Sequence, residues 1–201
     1  MMQRSMQTTV LGLVLAIAGS PVIPGTKAMA DTPPIWYDCL TREAFTPEKQ
    51  TWCKHWQALQ NATFVVPSDL GSNPEYKTVT LKNGRYQQAD NQFIVELVNQ
   101  QGWLTFGDFN SNGKTDAAVI FGVALDPDGK TVATYLTAVL DVDGKAQALT
   151  PIKLGERIRL NGPIEIGRNQ IAVPLLTQTE VINRVYGING TNLNELTLRC
   201  A

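Results

Sequence analysis

Residues 107–125 read GDFNSNGKTDAAVIFGVAL, and this stretch decides the fold. Its first half sets Asp108, Asn110 and Asn112 at alternate positions ahead of Gly113, with Lys114 and Asp116 following. Its second half, residues 117–125, is apolar apart from Gly122 and is followed at once by the turn signal Asp126, Pro127, Asp128, Gly129. An apolar run of that length between two turns reads as a long buried strand. Residues 103–106 lead into the loop as another strand. The loop therefore joins strand to strand, and an EF-hand is excluded: position 12, which needs a bidentate Glu, is Val119.

The same grammar extends outward in both directions. Residues 62–66 are a short apolar run ended by Pro67, residues 76–81 alternate, and Lys82, Asn83, Gly84 and Arg85 spell a hairpin turn before a strand at 93–98. Residues 134–140 return from the 126–129 turn. Asp141, Val142, Asp143 and Gly144 turn the chain again, and 146–152 follow. Segments 157–160, 164–166 and 171–176 are punctuated by Asn161-Gly162 and Gly167, and 184–188 with 193–199 make a last hairpin about Asn189-Gly190. Upstream lies one helix. Thr46 supplies a hydroxyl cap, Pro47 takes the first helical position and Glu48 sits near the positive end. From there to about Gln60, Trp52, Trp56 and Leu59 form one apolar stripe, with Lys49, Lys54 and Gln57 off it. The pattern predicts an α+β, mostly β fold: an antiparallel meander of roughly nine or ten short strands with one N-terminal helix packed on it. Residues 31–201 make a single domain on this reading.

The first 30 residues read as a removable leader. Arg4 precedes an apolar run at 10–19, and Ala28 and Ala30 place small residues where a signal peptidase reads. Ten apolar residues fall short of the roughly 20 needed to cross a bilayer, and no other segment is long and apolar enough. The mature chain is expected in the periplasm or the medium. The leader holds Arg4 and Lys27 among the 17 basic residues and none of the 18 acids, which leaves the remainder at −3. Nothing in that balance points to a nucleic-acid partner, and no membrane span is expected. The partner expected is an envelope or extracellular ligand.

Three cysteines, Cys39, Cys53 and Cys200, fit an oxidising compartment and one disulfide. Cys39–Cys53 would close a short loop and stabilise by about 3 kcal/mol on a chain-entropy model. Cys200 pairing with either of the others is the rival.

Oxygen ligands at positions 1, 3 and 5 of the loop (Asp108, Asn110, Asn112), the Lys114 carbonyl at 7 and Asp116 at 9 are a calcium-type set. The same side chains can instead accept backbone N–H groups and hold a turn without metal. With two carboxylates, such an ion site falls toward the millimolar range of extracellular modules. The spacing resembles the calcium loops of FG-GAP-type repeats in integrin-like β-propellers, D-x-[DN]-x-[DN]-G-x-x-D before an apolar strand. No second copy occurs, so the motif carries over and the propeller does not. Residues 79–86 (VTLKNGRY), the 107–119 loop, YLTAVL at 135–140, LGERI at 154–158, IAVPLLT at 171–177 and the terminal VYGI at 185–188 follow one another in a familiar order. That order resembles a family of exported bacterial proteins with a G-D-L-N-G-D-G-x-x-D-A-A-V loop and a following L-G-D-R-V segment, a family without an assigned activity. The resemblance spans about residues 76–198. Asn112 stands where that family often has Asp, a Pro/Cys-rich insert after the 171–176 strand is missing, and the helix with Cys39 and Cys53 falls outside it.

Catalysis finds little support in the residues. The mature chain has one histidine, His55, on the helix beside two tryptophans, and three serines, Ser68, Ser72 and Ser111, none in a nucleophile elbow. No phosphate loop, dinucleotide fingerprint or zincin motif is present. The expectation is a non-catalytic exported binding or structural domain. The alternatives are a small secreted hydrolase with a carboxylate pair, and a protein inhibitor of a cell-wall-degrading enzyme.

Overall fold

The structure, a computed structural model, describes residues 36–41, 46–89, 92–126, 131–142, 144–167 and 169–196. The expected leader, the turn expected after Asp126 and Cys200 lie outside the described residues. In chain order the elements are α1 (Pro47–Gln60), β1 (Thr63–Pro67), β2 (Tyr76–Thr80), β3 (Arg85–Gln87), β4 (Ile94–Leu97), β5 (Leu104–Gly107), β6 (Asp116–Ala124) and β7 (Val132–Val142). There follow β8 (Lys145–Ala148), β9 (Ile152–Glu156), β10 (Arg159–Leu160), β11 (Glu165–Gly167), β12 (Gln170–Leu176), β13 (Val181–Asn189) and β14 (Asn192–Leu196). The fold is mostly β with antiparallel sheets and one helix packed on them, as the patterning predicts.

The strands outnumber the expectation and divide among three sheets. One is the pair β1–β2. A second runs β3-β4-β6-β7-β8, with β5 also on β6 and β9 also on β7; the third runs β10-β12-β13-β14, with β11 on β12. Two local features explain the division. The turn at 82–85 forms as read, with Asn83 and Gly84 both at positive φ (53° and 83°) and Lys82 bridged to Arg85. It joins no hairpin, however: β2 pairs with β1 while β3 pairs with β4. The turn is tied to the end of α1, through Gly84 N donating to the Gln60 carbonyl at 2.8 Å, and the two strands leave it for different sheets. The expected strand at 146–152 is likewise two. Pro151 has no N–H to donate to a ladder, and the chain breaks at 149–151 so that β8 pairs with residues 139–142 of β7 and β9 with residues 133–136.

β6 and β7 lie at the centre, covered on both faces. Ala117, Val119, Phe121 and Val123 of β6 face one core with Trp52, Trp56 and Leu59 of α1, Phe64 of β1 and Val79 of β2. Ala118 and Ile120 face a second core with Ile171 and Val173 of β12, Tyr186 of β13 and Leu193 of β14. The period-2 alternation of a strand thus feeds two cores at once, which is why residues 117–125 show no polar face in sequence.

Thr46 caps α1 as expected, accepting from Lys49 N at 3.2 Å. Trp52 and Trp56 are buried, Trp52 edge-on to Phe106 at 5.7 Å, so the tryptophans dock the helix. Lys49 departs from its expected place off the stripe. It is buried, and its ammonium donates to Thr41 Oγ1. A lysine stem packs as an apolar chain when its head finds an oxygen.

Cys39 and Cys53 are bridged, with Cα atoms 5.6 Å apart. The Cys39→Ala/Cys53→Ala double variant is expected to lose about 3 kcal/mol in urea unfolding, and reductant should shift the native protein by the same amount.

Candidate functional site

The 108–116 loop is built from Asx side chains accepting from its own backbone. Asp108 Oδ1 accepts from Asn112 N at 3.0 Å and its Oδ2 from Gly113 N at 2.8 Å. Asn110 Oδ1 accepts from the same Asn112 N at 3.1 Å, so the Asp108 and Asn110 oxygens converge on one N–H. Asn112 Oδ1 accepts from Lys114 N at 2.8 Å. Gly113 adopts φ 79°, the left-handed turn that its place in the motif requires.

Asp116 does something different from the other four. It is 1% exposed. Its Oδ2 accepts from Phe109 N at 3.0 Å and Asn110 N at 3.3 Å, and its Oδ1 accepts from Asp141 N at 2.8 Å. One buried carboxylate therefore closes the loop on itself and ties it to the end of β7.

Asp141 completes the site, though in sequence it reads only as part of an Asp-Gly turn. Its carbonyl accepts from Asn112 Nδ2 at 3.2 Å, its Oδ1 accepts from Gly144 N at 2.7 Å, and Lys114 Nζ lies 3.7 Å from that oxygen. The neighbourhood follows from register: Ala117 of β6 pairs with Val139 of β7, which brings residue 141 beside the loop. Nothing local in the sequence signals it.

A carboxylate offers about four lone-pair sites and an amide oxygen two. Asp116 has spent three, and what remains is buried. Asp108 keeps two, Asn110 and Asn112 keep one each, and the Lys114 carbonyl adds to them. That donor set fits a hard cation whose six to eight oxygens are completed by water. No cluster of three or more His, Cys, Asp or Glu that could hold a metal ion occurs among the described residues.

The His55 ring packs edge-on against Phe106 with centroids 5.4 Å apart. Ser68 donates its hydroxyl to the Glu75 carbonyl at 3.0 Å. No helix among the described residues is long and apolar enough to cross a membrane.

Tyr135 in β7 is stacked on Phe121 at 5.7 Å. Burial first, then the negative charges of Tyr76, Asp69 and Glu156 when ionised, push its hydroxyl up to about 12 from an ordinary 10.0. A raised acid favours the neutral form in the folded state, so its contribution is full below about pH 10 and is lost as the pH rises through about 12. Absorbance titration of tyrosinate should show Tyr135 ionising after the exposed tyrosines, together with unfolding.

The described residues form a mostly β fold of antiparallel sheets with one helix packed on them and an Asx-rich loop at 108–116. Comparison with known proteins gave no match to a family model, a curated protein or a solved structure.

Proposed function

We propose that this protein is an exported, non-catalytic β-rich binding domain whose 108–116 loop takes one calcium ion weakly. The observation that supports the ion is the convergence of the Asp108 and Asn110 oxygens on Asn112 N, with the Asn112 oxygen two residues on accepting from Lys114 N and each oxygen keeping a lone pair. Asp108, Asn110, Asn112 and the Lys114 carbonyl hold the ion in this reading, and Asp116 is the frame beneath them instead of a direct ligand. An ion there would draw together a segment tied to both central strands, and so stabilise the fold without taking part in a reaction.

The leader and the Cys39–Cys53 bridge support export into an oxidising compartment. The likeness to exported bacterial proteins with the same loop order agrees with that address. Against catalysis stand the packing of His55 on Phe106 and the use of the buried Asp116 as a backbone acceptor. Incubation of the purified protein with glycan and peptide panels is expected to release neither reducing ends nor free amino groups. Turnover abolished by replacing a pair of acids would establish the secreted hydrolase instead. Stoichiometric inhibition of a cell-wall-degrading enzyme would establish the inhibitor.

A further inference from the structure

Tyr135 poses a problem the fold does not solve. The residue is 1% exposed, and its hydroxyl oxygen is buried with no hydrogen-bond partner among the described residues. A buried hydroxyl left unpaired is costly, and buried polar groups are as a rule paired. Tyr135 lines a cleft of about 650 Å³ where the ends of β2, β9 and β14 meet. The cleft sits where three sheets meet, and at one of its seams Thr150 bridges to Asn192 and Thr150 N donates to the Thr191 carbonyl at 2.8 Å.

Its other walls have a consistent chemistry. Thr150 offers a hydroxyl, Asn192 and Asn194 offer exposed side-chain amides, and Tyr76, 44% exposed, offers a ring. Among the described residues no Asp or Glu lines it, and the nearby charges of Asp69 and Glu156 reach the Tyr135 hydroxyl only through space. The single cation, Lys153, is already engaged: Nζ lies 3.6 Å from Glu156 Oε1 and donates to the Leu70 carbonyl at 3.4 Å. A site with no net charge to offer, with amides and hydroxyls that both donate and accept, and with an aromatic face at its rim suits a ligand that is neutral, rich in hydroxyls and apolar on one side. Cleft volume is in the range of small-ligand sites.

We infer that this cleft binds a neutral saccharide unit, with Tyr76 against the sugar face, Asn192, Asn194 and Thr150 on its hydroxyls and Tyr135 at the base. The inference rests on the non-catalytic binding reading and gives it a ligand class.

The test is saturation-transfer NMR and calorimetry on the full purified protein with cellotriose, maltotriose and chitotriose, each up to about 10 mM. Binding of at least one is expected, without cleavage. Asn194→Ala, at an exposed position, and Tyr135→Phe should each weaken it at least about tenfold, while the melting temperature of Tyr135→Phe stays level or rises because an unpaired hydroxyl is gone. No binding of any of the three, or binding that both variants leave unchanged, overturns the saccharide site and leaves the non-catalytic reading standing. Release of reducing ends during the titration overturns the non-catalytic reading.

Discussion

Asp116→Ala is expected to lower unfolding free energy by about 3–5 kcal/mol, from one buried and two half-buried N–H groups stripped of a charged acceptor. The carboxylate accepts from Phe109, Asn110 and Asp141, and at 1% exposure it leaves no route for water to replace it. Asp116→Asn should fall between, at about 2–3 kcal/mol, because the amide keeps one acceptor oxygen and turns an NH₂ toward a donor. Asp108→Ala should cost only about 1 kcal/mol in calcium-free buffer, since Asn112 N and Gly113 N are exposed and water can take its place. Urea unfolding of the three variants separates a frame residue from a rim residue. Equal losses at 108 and 116 would contradict the division of roles.

Phe121→Ala is the second large effect, at about 3–5 kcal/mol. Its ring is fully buried between Tyr135, stacked at 5.7 Å, and Phe64, 6.2 Å away. The adjacent Ile120→Ala empties the opposite core and should cost about 2–5 kcal/mol. Both cores border the same two strands, so each variant should shift a single unfolding transition as a whole. Two separate transitions, with each variant moving only one, would show that the cores melt independently.

What could be read in the chain depended on how local its cause was. The helix was legible because Thr46, Pro47 and the Trp52, Trp56, Leu59 stripe lie within one segment. The 82–85 turn was legible for the same reason, through the positive φ that Asn83 and Gly84 accept. The partners of its flanking strands were not, because a tight turn fixes the chain's reversal and leaves which strands pair to the cores. Residues 117–125 announced a buried strand, yet only the structure shows that alternate side chains serve two cores. The loop motif was plain in sequence. The burial of Asp116 and the arrival of Asp141 were not, since both follow from the register of β6 on β7. Tyr135 looked like one more apolar strand position, and its unpaired hydroxyl becomes visible only when β2, β9 and β14 are brought around it.

The loop's proposed role is tested most directly by thermal unfolding of the protein in about 10 mM calcium and in EDTA. For a dissociation constant of about 1 mM, calcium at that level adds about 1.4 kcal/mol to the folded state. The midpoint should then rise by about 3–5 °C, and the rise should vanish in Asp108→Ala while magnesium fails to reproduce it. Midpoints equal within about 1 °C in calcium and EDTA would contradict the account and leave the 108–116 loop a turn closed by its own hydrogen bonds.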